Sequence, residues 1–214
     1  MANLAIQKVD TLYQSGLSAR EVGERFGVSP WVVYKFMKRR GLSRRGRGET
    51  NRIHFKHSPL SYKLKRQLSA EEDKLKLAGT MLYWAEWSKA NAKTKEWNVD
   101  FANSNPDMVR TFLQFLREIC GVDEGKLRIY LYCYADQNVE EIKNYWSKIT
   151  NIPLSQFTKP YIREDFQKKN GREMKCGMVH VRYSDKRLLL QIENWIKDYI
   201  QTRVGTQAVN GVTL

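Results

Sequence analysis

The chain has little of what builds a cross-linked, metal-bound or membrane-spanning protein. Its 214 residues include three cysteines, Cys120, Cys133 and Cys176. Their number is odd, their spacing wide and no CxxC pair occurs, which argues against a disulfide framework or a zinc site and for buried free thiols. Histidine is as scarce: His54 and His57 stand three apart with no Cys or acidic partner nearby, so a metal role is not expected there. No apolar run approaches the roughly 18 residues that span a bilayer. The opening MANLAIQKVD lacks the charged, apolar and small-residue regions of a signal peptide. The expectation is a soluble, intracellular protein with no membrane partner.

Acid is missing from one end. Residues 1–66 hold 15 Lys+Arg against 4 Asp+Glu, a net +11, whereas residues 67–214 hold 22 against 19, the remaining +3 of the total +14. So concentrated a positive field is the footprint of a polyanion, since each Lys or Arg set against a phosphate releases condensed counterions. Nucleic acid is the expected partner, and the location cytoplasmic and nucleoid-associated. The length suggests two modules.

The basic end reads as three helices. Leu4, Val9, Leu12 and Tyr13 share one helical face, with Gly16 as the stop. Ser18 opens S-A-R-E, a capping box closed by Glu21, and the second helix turns Val22 and Phe26 inward. Gly27-Val28 makes a tight turn, and Ser29-Pro30 starts a third helix with proline where its missing N–H costs nothing. Val32, Val33, Phe36 and Met37 form the expected buried stripe of that helix, leaving Trp31, Tyr34, Lys35 and Lys38 on the opposite face. The stretch GLSAREVGERFGVSPWVVYKFMKRRGL resembles the helix-turn-helix domains of bacterial regulators and recombinases over about 35 residues. That resemblance implies that the third helix lies in the major groove of double-stranded DNA, with Trp31, Tyr34, Lys35 and Lys38 facing the bases. Arg39, Arg40, Arg44, Arg45 and Arg47 then read as a flexible basic arm able to enter a minor groove. The module is expected over 1–42 and a basic linker without clean periodicity over 43–70.

Residues 71–204 alternate helical and two-residue periods, the pattern of mixed α and β structure. Leu75, Ala78, Gly79, Leu82 and Glu86 make one helical stripe whose small residues permit close helix approach. It ends in a carboxylate that the helix dipole disfavours by a few tenths to about 1 kcal/mol, so a bound cation or the nearby Lys89 should compensate. Strands are expected at 97–101, 126–134 and 178–183, and helices at 107–120, 139–149 and 186–200. In the clearest strand Leu127, Ile129, Leu131 and Cys133 take one face, and Arg128, Tyr130, Tyr132 and Tyr134 the other. His180 and Arg182 point outward from the last strand, and residues 205–214 read as a frayed tail.

The small-residue helix ending in an acid, with its helices and strands, resembles the LAGLIDADG homing-endonuclease domain. Leu77-Ala78-Gly79 matches the start of the motif and Ala85-Glu86 its acidic end. Two extra residues separate Gly79 from the acid, Trp87 replaces the closing glycine, and Glu stands where Asp is commoner. The resemblance implies an α+β chain: a three-helix helix-turn-helix module followed by an αββαββα domain. A single motif implies a homodimer with Ala78, Gly79 and Leu82 at an isologous helix interface. It further implies Mg²⁺ held by Glu86 from each protomer, with Lys175 as a catalytic cation, Arg182 and Lys159 as weaker candidates, and Arg128, Tyr130, Tyr132 and Arg182 on DNA. Two functions stay open: a metal-dependent, site-specific double-strand DNA endonuclease of homing type, or a non-catalytic regulator in which the second module only dimerises and reads sequence.

Overall fold

A computed structural model describes residues 6–90, 97–164 and 174–203. The chain divides into two compact units, 1–59 and 60–214. Leu4, residues 91–96 and the expected tail 205–214 lie outside the described residues.

In the first unit the local signals act as their chemistry dictates. Helices α1 (Ile6–Gln14), α2 (Ala19–Phe26) and α3 (Pro30–Arg39) surround a core of Val9, Tyr13, Ala19, Val22, Val33 and Met37. The Ser18 amide donates to Glu21 Oε2 at 2.7 Å and the Glu21 amide to Ser18 Oγ at 3.2 Å, so the capping box is closed on both sides. Gly27 ends α2 at φ 65°, a conformation a side chain resists. Gly23 lets the turn fold tight against the helix, since a Cβ there would lie 2.5 Å from the Val28 carbonyl oxygen. Pro30 opens α3, but the Ser29 side chain makes no cap bond.

Three expectations for this unit need correction. Within the α3 stripe only Val33 and Met37 are buried; Val32 and Phe36 are half-buried, and Tyr34 packs against the core from the other side. The arm does not swing free, because Leu42 donates its amide to Met37 O and packs on the core. Arg45 then folds back on Tyr13. Finally, α4 (Arg47–His57) occupies what the periodicity left as connector. With no apolar stripe, periodicity had nothing to register. The side chains of Arg47, His54 and His57 lie outside the described residues.

The second unit starts at residue 60, ahead of the expected boundary at 71. Tyr62 bridges to Val122, the Lys63 amide donates to Cys120 O and Gly121 O at 3.1 and 3.0 Å, and the Lys65 amide to Ile119 O at 2.9 Å. Tyr183 donates its hydroxyl to Ser61, and Ser61 Oγ donates to Asp185 at 2.7 Å. Then follow α5 (Ala70–Ala90), β1 (Val99–Asn103), α6 (Pro106–Gln114), β2 (Leu127–Tyr134), α7 (Val139–Thr150), β3 (Tyr161–Arg163), β4 (Met178–Tyr183) and α8 (Lys186–Arg203). The expected helix 107–120 changes character midway, its second half Phe115–Ile119 being a wider π turn.

The chain is therefore α+β, but its second unit runs αβαβαββα rather than αββαββα. The sheet order is β1-β4-β2-β3, antiparallel except for the parallel pair β2-β3. Helix α6 intervenes between β1 and β2 because Asn105 caps it, Oδ1 accepting from Asp107 and Met108 at 2.8 and 3.3 Å, with Pro106 next. The core lies on one side of this sheet. There Val99, Phe101, Leu127, Ile129, Leu131, Cys133, Val179, Val181 and Tyr183 meet Phe112, Phe115, Leu188 and Ile192. Cys120 and Cys133 are buried free thiols, pushed up from the usual thiol range by burial, while Cys176 is only half-buried.

Candidate nucleic-acid interface

Helix α3 and the chain just after it build one continuous basic and aromatic surface. Trp31, Tyr34, Lys35, Lys38, Arg39, Gly41, Leu42 and Arg44 line a concavity of about 1030 Å³. The exposed indole of Trp31 carries Lys35, whose Nζ stands 4.7 Å from the ring centroid. Arg44 lies over Tyr34 with Cζ at 4.1 Å from its centroid, and Arg40 lies 6.0 Å from Phe36. Each cation rests on an aromatic face, which costs little hydration and holds the charge in place. Lys35, Lys38, Arg39, Arg40 and Arg44 are all exposed. The structure thus brings together the residues singled out on α3 and the first arginines after it, with Tyr34 half-buried beneath Arg44.

Arg45 departs from the group. Its amide donates to Tyr13 Oη at 3.2 Å, Nη2 donates to Leu17 O, and Cζ sits 4.0 Å above the Tyr13 ring. Its Nε and Nη1 are buried without a hydrogen-bond partner among the described residues. The Tyr13 ring face supplies the compensating field. Arg45 clamps the first unit and does not present its charge outward.

A second surface lies on the sheet face turned away from the core. Arg128, Tyr130, Tyr132, His180 and Arg182 stand there as the alternation of β2 and β4 requires. What the periodicity did not reveal is Asp100 on β1. Its carboxylate, 8% exposed, accepts from Arg182 Nε at 2.6 Å and meets His180 Nδ1 at 2.9 Å. The register that pairs Asp100 with Arg182 and Ala102 with His180 makes this contact, and a separation of some eighty residues hid it. Arg182 also lies over Tyr130 with Cζ at 4.2 Å, and Tyr132 stands between Tyr161 and His180 with centroids at 4.9 and 5.0 Å. Arg128 braces backbone, Nη1 donating to Gly125 O and Leu127 O at 2.6 and 2.7 Å.

Of the expected dimer residues, Gly79 and Leu82 are turned inward. Gly79 faces this chain's own core, where a Cβ would fall 2.1 Å from Phe115 Cγ, and Leu82 packs on that core as well. That small-residue stripe is already filled, so Gly79 and Leu82 are not free for a partner helix. Ala78, half-buried, borders the outward face, where Leu77 is 47% exposed, Met81 half-buried and Ala85 exposed. Glu86 is half-buried on the inward stripe. Among the described residues no three His, Cys, Asp or Glu come together in a metal-holding group. Lys175 is exposed in the turn before β4, its carbonyl accepting from Gln137 Nε2 at 3.3 Å, and among the described residues no hydrogen bond or ion pair links it to Glu86. Lys159 is exposed too. The side chains of Trp87 and Lys89 lie outside the described residues.

No family model, no curated protein and no solved structure matches the chain. No helix among the described residues is long and apolar enough to cross a membrane.

Proposed function

We propose that the protein is a site-specific double-stranded-DNA-binding regulator, nucleoid-associated and homodimeric. Its helices α2 and α3 form a helix-turn-helix that sets α3 in the major groove. The observation that carries this reading is the concave face of α3, where Trp31, Lys35, Lys38, Arg39 and Arg44 converge. In such a groove the ammonium and indole groups meet base edges, while Arg39, Arg40 and Arg44 meet phosphates. The outer sheet face, with Tyr130, Tyr132, Arg128 and Arg182, serves as a second contact, in which Asp100 holds Arg182 over the Tyr130 ring. Dimerisation runs through the apolar outward face of α5, Leu77, Ala78, Met81 and Ala85, rather than through the occupied Gly79 stripe.

The competing reading, a Mg²⁺-dependent homing-type endonuclease, rests on Glu86 of each of two protomers holding the metal between them. The discriminating experiment selects from a randomised duplex library with and without Mg²⁺ and sequences bound and cut molecules. Enrichment of one site without cutting is the expected result. Cutting at that site only with Mg²⁺, abolished by Glu86→Gln while binding persists, would replace the regulator with the nuclease. Absence of any enriched duplex would refute both.

A further inference from the structure

The base-edge chemistry available on α3 is narrow. The helix PWVVYKFMKR contains no Asn, Gln, Asp or Glu. It therefore lacks the amide that pairs with adenine N6 and N7, and the carboxylate that accepts from cytosine N4. What it offers outward is donors without acceptors, Lys35, Lys38 and, at its last position, Arg39, and one large apolar surface, Trp31, 65% exposed. Tyr34 is withdrawn, half-buried beneath Arg44.

Lysine donors favour the base with the most acceptors in the major groove. Guanine presents both N7 and O6, adenine sets a donor beside its N7, and thymine has O4 alone. An apolar ring favours the thymine C5-methyl. Lys35 and Trp31 lie one turn apart on one face, Nζ 4.7 Å from the ring, so the two groups address neighbouring base pairs together.

We propose that α3 selects adjacent guanine and thymine, Lys35 donating to guanine N7 and O6 while the Trp31 ring packs on the methyl of the neighbouring thymine. The proposal rests on the reading that α3 lies in the major groove, and it names what that helix reads. Lys38, a turn further on, extends the donor row.

The test is a duplex selection with the full-length protein and three variants. Wild type enriches a site with guanine next to thymine. Lys35→Arg keeps the guanine, whereas Lys35→Gln moves that position to adenine, since an amide is bidentate to N6 and N7. Trp31→Ala lowers discrimination at the thymine position about tenfold. Replacing that thymine by uracil, which removes only the methyl group, weakens wild type and leaves Trp31→Ala unchanged. A wild-type core with no guanine beside thymine on either strand, retention of guanine by Lys35→Gln, or silence of the uracil substitution each overturns the assignment while leaving groove binding intact. Failure to enrich any duplex overturns the groove reading and this assignment with it.

Discussion

At the scale of single residues, position relative to an aromatic ring or a backbone carbonyl decides what a charge does. Arg44 and Arg45 are adjacent and chemically identical, yet one lies outward over Tyr34 and the other is drawn inward over Tyr13. The two should separate experimentally. Arg45→Ala removes a partly desolvated cation–π contact and the bond to Leu17, and should destabilise the first unit by about 1–2 kcal/mol. Urea denaturation followed through the Trp31 fluorescence measures this. Arg44→Ala should leave that midpoint in place and weaken binding to cognate and random duplex alike, as expected of a phosphate contact. If both variants behave the same in the two assays, the division between clamp and contact is wrong. Asp100 shows the same dependence on placement: a lone acid on an outward face reads as solvated, yet here it takes up His180 and Arg182 together.

Among elements, legibility follows how local the determining forces are. Helices α2 and α3 were readable because Ser18, Glu21, Gly27 and Pro30 act within one turn of themselves. Strands β2 and β4 were readable because the pleat writes alternation directly into the residues, buried at Leu127, Ile129, Val179 and Val181. Helix α4 carries no apolar stripe, and β3 is three residues long and wholly exposed, so neither left a period to detect. Of the interface, the face of α3 was legible because helical spacing alone assembles it. The inward turn of Arg45, the burial of Gly79 on Phe115 and the Asp100 cluster were not, being set by chain segments distant in sequence. The segment at residues 60–66 belongs to the same class: its seat depends on Gly121. That glycine holds φ 57°, and a Cβ there would lie 2.3 Å from the Lys63 carbonyl oxygen. Gly121→Ala should destabilise the second unit by about 2 kcal/mol, from left-handed strain and displacement of the Lys63 backbone. Unchanged amide-exchange protection at Lys63 and Lys65 would show that the segment does not depend on this close approach.

For the whole molecule, two fields act on different units and respond to different solution variables. Stability in acid should be governed by the second unit. Burial pushes the Asp185 carboxyl up, but the Ser61 hydroxyl, the Arg187 and Leu188 amides and the Arg187 charge together hold it below its ordinary value of 3.8. A depressed folded-state pKa means the stabilisation is fully present above that ordinary value and drains away as pH falls through the lower folded one. The urea midpoint of the second unit should therefore fall as pH is lowered below about 4, and Asp185→Asn should flatten that fall. A wild-type midpoint that stays level from pH 5 to pH 2 would contradict it.

The response of duplex binding to salt should be led by the first unit, because residues 1–59 carry 12 Lys+Arg against 4 Asp+Glu, +8 of the +14 net charge on little more than a quarter of the chain. Each phosphate neutralised by a cation contributes about 0.9 to the slope of log affinity against log salt. Replacing Arg39, Arg40 and Arg44 together by Gln should make the slope shallower by about 2 to 3, with the unfolding midpoint little changed because all three side chains are exposed. The matched replacement of Arg128, Lys159 and Lys175 on the second unit distinguishes a docking charge from a general one. If docking is led by α3 and the arginines that follow it, the second triple variant should alter the slope by less than the first. Equal slopes for the two would mean that the phosphates are met over the whole basic surface, and that the concave face of α3 is not where the duplex is held.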